Sequence, residues 1–249
     1  MVRLKFRDAV TWRYVIAAIS KIIEETSISI NEDGVRLKAI DPSYTSLVDF
    51  YVPATAFTEY ELSGKEVLVS INLEDLSKVL KRARSSDELV LEPGVGKLVV
   101  ALVGRGVRKF SLPSLEASVE EVPEISFEKA FRGKLPPTSL ASILRELKTI
   151  GDEIEFSVKS GGDGLVVKSS SEIAEAEVVL NFSSGVFIEY EVLADASSKY
   201  TIDYLADISP VGKVAEYVTL SFGDKTPIEL QYDLPLGGSL KFYVAPRGE

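Results

Sequence analysis

The sequence predicts an α+β fold built from two similar halves, each with two helices on one face of antiparallel sheets. Three observations predict it. Four stretches carry apolar residues at helical spacing, the stretches between them alternate in polarity, and the order helix, hairpin, helix, hairpin occurs twice.

In chain order, residues 8–25 place Trp12, Val15, Ile16, Ile19 and Ile23 on one helical stripe. TSISINEDGVRLKAID (26–41) then alternates on both sides of a turn at 31–34. Asp41-Pro42 signals a second turn, after which Val48, Phe50 and Val52 interleave with Ser46, Asp49 and Tyr51 as in a half-buried strand. A tyrosine, Tyr44, stands in the loop between Ile40 and Leu47. A second helix spans 72–84, with Asn72 as N-cap, Asp75 at N3, and Leu73, Leu76, Val79, Leu80 and Ala83 inside. The hairpin pattern of 86–102 follows it. Residues 137–150 form a third helix on Leu140, Ile143, Leu144 and Leu147, and EIEFSVKSGGDGLVVKSSS (153–171) repeats the first hairpin design. The fourth helix, 201–209, is short because Pro210 stops it, and a last hairpin covers 216–234. The expected domains are 1–112 and 127–249, joined by 113–126. That joining segment holds four glutamates and Pro123, yet Leu115, Val119, Val122 and Ile125 recur along it. Regularly spaced Val and Ile imply that it lies against something.

The 249 residues are 45% hydrophobic and 27% charged, enough to bury a large core. No apolar run approaches the ~20 residues that span a bilayer, and MVRLKFRDAV lacks the apolar stretch of a secretory signal. With no cysteine, disulfides are ruled out, which fits a reducing compartment. With no histidine either, Ser-His-Asp and Cys-His nucleophile systems and the usual zinc sites cannot be assembled. No GxxxxGK[ST] loop or clustered acidic motif appears, so no enzyme, metal or cofactor is expected.

The net charge is −10, unevenly spread: +1 over 1–112, −4 over 113–126 and −7 over 127–249. An acidic total argues against nucleic acid, but the helices carry cations. On the second helix Lys78, Lys81 and Arg82 oppose the apolar stripe, with Arg84 at its margin. The first places Arg13 and Lys21 on its polar side, and the third Arg145 and Lys148. A solvated face is the plain reading for one helix alone. Three helices of four with basic faces suit a non-specific DNA-backbone surface. The fourth dissents with Asp203 and Asp207.

Five stretches in order carry a resemblance: AIDPSYTSLVDF (39–50), SKVLKRA (77–83), LRELKTIGDEIEFSV (144–158), YTIDYLADI (200–208), and VTLSFGDKTPIELQYDL with GGSLKFYVAPR (237–247). Together they resemble the sliding clamps of the proliferating-cell-nuclear-antigen type, over about 8–247. The resemblance implies a DNA-clamp fold and a trimeric ring, of this chain or of it with paralogous subunits, around double-stranded DNA without sequence preference. It implies a processivity factor placed on DNA by a clamp loader. Its clients would be a DNA polymerase, a flap endonuclease and a DNA ligase, with the site of action the archaeal cytoplasm (at the nucleoid) or the eukaryotic nucleus. The eight helix cations would face DNA, weakly, because Ser20, Ser142 and Pro210 stand where relatives carry basic residues. A client pocket would comprise Ile40, Leu47, Val122, Pro227, Tyr243 and Ala245, with Tyr44 at the loop tip and Ile125 and Pro246 adjoining. Client motifs would bring a glutamine with aliphatic and aromatic anchors. The ring seam would pair an edge at 107–112 (Arg108, Lys109, Phe110) with one at 173–181 (Glu175, Glu177, Val179), Arg108 and Lys109 facing Glu175 and Glu177. The alternative is a clamp-like protein scaffold outside replication.

Overall fold

A computed structural model describes residues 2–116 and 122–248. The chain divides into two compact units. One comprises Met1–Pro42, Val48–Val122 and Leu234–Leu240; the other comprises Ser43–Leu47, Pro123–Asp233 and Lys241–Glu249.

The first half runs β1 (Arg3–Phe6), α1 (Ala9–Ile19), β2 (Glu25–Asn31), β3 (Gly34–Ile40), β4 (Ser46–Pro53), β5 (Phe57–Glu61), β6 (Glu66–Asn72), α2 (Leu73–Leu80), β7 (Glu88–Gly94), β8 (Lys97–Val103) and β9 (Val107–Pro113). The second runs β10 (Phe131–Leu135), α3 (Pro137–Leu147), β11 (Glu153–Val158), β12 (Gly164–Ser170), β13 (Glu175–Asn181), β14 (Glu189–Val192), β15 (Ala196–Thr201), α4 (Ile202–Ile208), β16 (Tyr217–Phe222), β17 (Ile228–Asp233) and β18 (Ser239–Val244). In the first half β5-β1-β7-β8-β9 lie side by side, as do β4-β3-β2-β6. In the second, β14-β10-β16-β17-β18 and β13-β12-β11-β15 follow the same two orders, strand for strand. One topology is therefore used twice. Every register resolved is antiparallel, as short connections require.

Local chemistry explains where the helices begin. The Asp8 carboxylate accepts from the Val10 amide at 2.9 Å, and the Asn72 side chain accepts from the Asp75 amide at 3.1 Å. Pro137 opens α3, where a missing N–H costs nothing. The ends fall short of the sequence expectation, which ran to 25, 84 and 150. The apolar stripe continues through Ile23 and Ala83, both buried, but the chain there has left the helix for turns, and Glu25 already belongs to β2. After α4 the chain tightens into a 3-10 segment, Ser209–Lys213, which takes in Pro210.

Each unit has its own aromatic core. In the first, Trp12 of α1 meets Phe50 edge-on at 5.2 Å and lies beside Phe6 and Phe57. In the second, Phe131 of β10 packs with Phe182, Phe187 and Phe222. Gly133 makes room for that cluster, because a Cβ there would stand 2.7 Å from the Phe131 and Phe187 rings. Gly34, at φ +155, lets the first hairpin approach β4; a Cβ would lie 2.2 Å from the Val52 carbonyl oxygen. No helix among the described residues is long and apolar enough to cross a membrane.

Candidate functional site

The helix cations divide by what they touch. Lys81, Arg82, Arg84 and Arg145 are exposed, as is Lys21. Lys78 is exposed too, but its ammonium sits 3.1 Å from both Glu74 and Asp75 on its own helix, and those bonds hold its pKa above the ordinary lysine value. Lys148 reaches Asp203 of α4 at 2.7 Å, and this hydrogen bond likewise raises its pKa. Arg13 is half-buried, donates to the Ala83 carbonyl at 3.3 Å and lies over the Tyr14 ring. Arg82 covers the Phe110 ring of β9 at 5.8 Å. The helix surfaces thus present fewer unopposed charges than the sequence alone suggests. Helix α4 supplies Asp203 as the neighbour that takes up Lys148.

Both expected edges are terminal strands. β9 ends one sheet of the first half and β13 one sheet of the second, and along each the exposed and half-buried residues alternate without a fully buried position. β13 starts at Glu175, two residues later than expected, and Ile173 lies in the turn before it, fully exposed. Two of the four charges expected to face each other across the seam already have partners within the chain. Arg108 is engaged within its own chain, bonding the buried Asp87 carboxylate and, at 2.9 Å, the Arg82 carbonyl. Glu177 pairs with Lys168 of β12 at 2.7 Å. Lys109 and Glu175 are exposed. Phe110 is half-buried and Val179 exposed, so apolar surface is available at both edges.

The client residues fall into three groups. Tyr44 is 77% exposed and holds a left-handed backbone, φ +57, a conformation costly for any residue with a Cβ. Ile40, Val122, Ile125, Pro227, Ala245 and Pro246 are half-buried. Leu47 and Tyr243 are buried, at 2% and 8% exposure, so each is core and not open surface in this conformation. The Tyr44 loop is tied at both flanks: the Thr45 carbonyl accepts from the Ala245 amide at 2.8 Å, and the Ser43 hydroxyl lies 3.3 Å from that of Tyr204. Val119 lies outside the described residues.

Two grooves accompany these surfaces. One of about 770 Å³ lies on the outer face of β11 and β12, with Val166 and Val179 at its floor and Glu155, Asp163, Asp195 and Asp224 around it; only Val179 was expected at a site. A second, of about 400 Å³, lies on β6-β2-β3 and is lined by Ser27, Ser29, Lys38, Ile40, Ser70 and Leu115, among others. Lys38 carried no signal in the sequence. Among the described residues no group of three or more acidic, histidine or cysteine side chains is placed to hold a metal ion.

The duplicated topology has a counterpart in known proteins. Residues 1–108 match the proliferating cell nuclear antigen N-terminal domain, and 121–247 the C-terminal domain. The DNA polymerase sliding clamp 3 of Aeropyrum pernix is 35% identical, covering 99% of this chain and 98% of its own. A clamp of the same designation from Sulfurisphaera tokodaii is 34% identical over 99% of this chain and all of its own. Among solved structures, the PCNA2-PCNA3 complex from Sulfolobus tokodaii superposes with a TM-score of 0.92 at 33% identity, over 99% of this chain and 100% of that one. PCNA from Thermococcus kodakaraensis superposes at 0.93, with 29% identity and the same coverage. With both domain profiles matched and relatives aligned from end to end, this chain belongs to the proliferating cell nuclear antigen family.

Proposed function

We infer that the protein is a DNA polymerase sliding clamp, a processivity factor without catalysis of its own that encircles duplex DNA in a trimeric ring. The ring contains three copies or this chain with paralogous subunits. The observation that carries this reading is the doubled topology with one free, alternating edge at β9 and another, different in sequence, at β13. Two unlike edges on one chain make a head-to-tail contact, which closes a ring when the rotation permits and uses up both edges. Phe110 and Val179 supply apolar contact there, with Lys109 and Glu175 as the available opposite charges.

The helices would line the hole. The exposed Lys81, Arg82, Arg84, Arg145 and Lys21 would meet phosphates, and Arg13, Lys78 and Lys148 would contribute less, held by the Ala83 carbonyl, by Glu74 with Asp75, and by Asp203. Weak, sequence-independent contacts suit a ring that slides, since topology and not affinity keeps it on DNA. A clamp loader would place it there, at the nucleoid. As the family resemblance implies, clients (a polymerase, flap endonuclease or ligase) would dock on the half-buried Ile40, Val122, Ile125, Pro227, Ala245 and Pro246 and the exposed Tyr44, whereas Leu47 and Tyr243 are buried. A few apolar anchors are the usual basis of such peptide grooves.

The test is solution mass, alone and mixed with paralogues from the same source. A species of three times the 27.2 kDa chain mass, or a mixed trimer, is expected. A chain that stays monomeric at micromolar concentration with every paralogue present overturns the reading.

A further inference from the structure

The segment joining the two halves is fastened at each described end to β3-β2-β6, at its start along the β6 edge and at its far end to the face of β3. At its start, the Leu115 amide donates to the Ser70 carbonyl at 2.9 Å and Ser114 Oγ to the same oxygen at 3.2 Å. At its far end, Lys38 Nζ donates to the Val122 carbonyl at 3.0 Å. Ser70 pairs with Ser27 across β6 and β2, their hydroxyls 2.6 Å apart. Ile28 pairs with Leu37, which puts Lys38 one step along, opposite Ser27. Ser70, Ser27 and Lys38 therefore form one row across three strands, and the two fastenings stand about 10 Å apart at two strand spacings.

Seven residue steps separate Leu115 from Val122, and a fully extended chain of that length reaches about 25 Å. Chain length alone does not hold Val122 at β3, and the ammonium–carbonyl bond ties it there. The groove of about 400 Å³ between these fastenings is lined by Ser27, Ser29, Lys38, Ile40 and Leu68 of the sheet and by Leu115 and Glu116 of the segment.

We propose that Lys38 is a positioning residue for client docking: it latches Val122 so that the segment is held in place before a client arrives. This rests on the client-docking reading above. Lys38 does not touch the client. It removes an ordering step that binding would otherwise have to complete.

The experiment compares wild type, Lys38→Met and Lys38→Arg as full-length protein. Met keeps the length and apolar stem of the side chain and removes the donor; Arg restores a cationic donor. One readout is the rate of cleavage by a glutamate-specific protease at Glu120, Glu121 and Glu124, with no client present. The other is the affinity of a synthetic peptide bearing a glutamine with aliphatic and aromatic anchors. For Lys38→Met, faster cleavage and about two- to tenfold weaker peptide binding are expected, the range of one hydrogen bond. The melting temperature is expected to hold, and Lys38→Arg to restore both readouts. Unchanged cleavage overturns the latch. Faster cleavage with unchanged affinity overturns its role in docking. A wild type that does not bind the peptide at all overturns the docking reading, while the cleavage rates still decide the latch.

Discussion

Replacing Asp87 with alanine tests the tie between the helices and the edge strand β9. Asp87 is only 3% exposed, and one carboxylate oxygen accepts from the Arg84 amide at 2.7 Å and from the Arg108 guanidinium. Its own carbonyl accepts from the Ala9 amide at 3.0 Å, so one residue joins the start of α1, the turn after α2 and β9. Gly104 leaves space for the carboxylate, since a Cβ there would stand 2.2 Å from Asp87 Oδ1. Asp87→Ala strips Arg108 of its counter-ion and leaves the Arg84 amide without its acceptor. Breaking a buried pair costs about 3–5 kcal/mol. The Arg108 side chain, however, is 34% exposed, so water takes back part of its charge and the loss falls to about 2–3 kcal/mol. For a chain of this length that lowers the melting temperature by about 5–10 °C. Asp87→Asn keeps an acceptor for the Arg84 amide and is expected to lose less. The assay is thermal and urea denaturation of both single variants, Arg108→Ala and the Asp87→Ala/Arg108→Ala pair. A loss below about 0.5 kcal/mol for Asp87→Ala, or no coupling between the two sites, refutes the reasoning.

Burial raises the Tyr60 phenol to about 12 and also raises those of Tyr200 and Tyr232. The fold favours the neutral phenol, so this stabilisation is whole below the unfolded value of about 10 and is lost as pH rises through the folded values. Tyrosinate absorbance should show a late component coincident with alkaline unfolding, diminished in Tyr232→Phe; its absence in wild type would contradict the burial. Tyr44→Ala keeps the left-handed backbone cost unchanged, so calorimetry is expected to show peptide binding weakened by about 1–3 kcal/mol with no change in melting temperature. Val122→Ala is expected to act in the same direction, and unchanged affinity in both variants places the client site elsewhere. Replacing Lys81, Arg82 and Arg145 with alanine is expected to reduce DNA loading at low salt, with the difference shrinking as salt rises. A deficit of equal size at high salt would indicate a packing defect, because Arg82 also covers Phe110.

The helix starts were legible because their chemistry is local: Asp8, Asn72 and Pro137 announce themselves within three residues. The helix ends were not, because Ile23 and Ala83 remain buried and prolong the stripe after the helix has unwound. β15 escaped notice since two of its three buried positions, Ala196 and Ser198, are small and only Tyr200 is large. Ser198 is buried there by donating to the Gly223 carbonyl at 2.9 Å, a partner no alternation of hydrophobicity reveals. β14 is only four residues long, with Tyr190 and Val192 alone on its apolar face, too short an alternation to stand out. At the site, the two edge strands were located through the family resemblance. The partners of the charges could not be read from the sequence, because Arg108 finds Asp87 across 21 residues, Lys148 finds Asp203 in another helix, and Lys38 finds a carbonyl 84 residues away. Side-chain type shows in a sequence, whereas long-range pairing is set by the fold.

The most direct test of the central claim is retention on closed versus open DNA. The protein, with any paralogues that complete its ring, is placed by a clamp loader on covalently closed circular duplex, and the bound fraction is followed before and after a single cut linearises the circle. A sliding ring held by topology stays on the closed circle at salt concentrations that abolish phosphate contacts and escapes from the ends once the DNA is cut. Equal retention before and after cutting, or loss from both forms at the same salt, would contradict encirclement and leave a clamp-like protein that works without threading DNA.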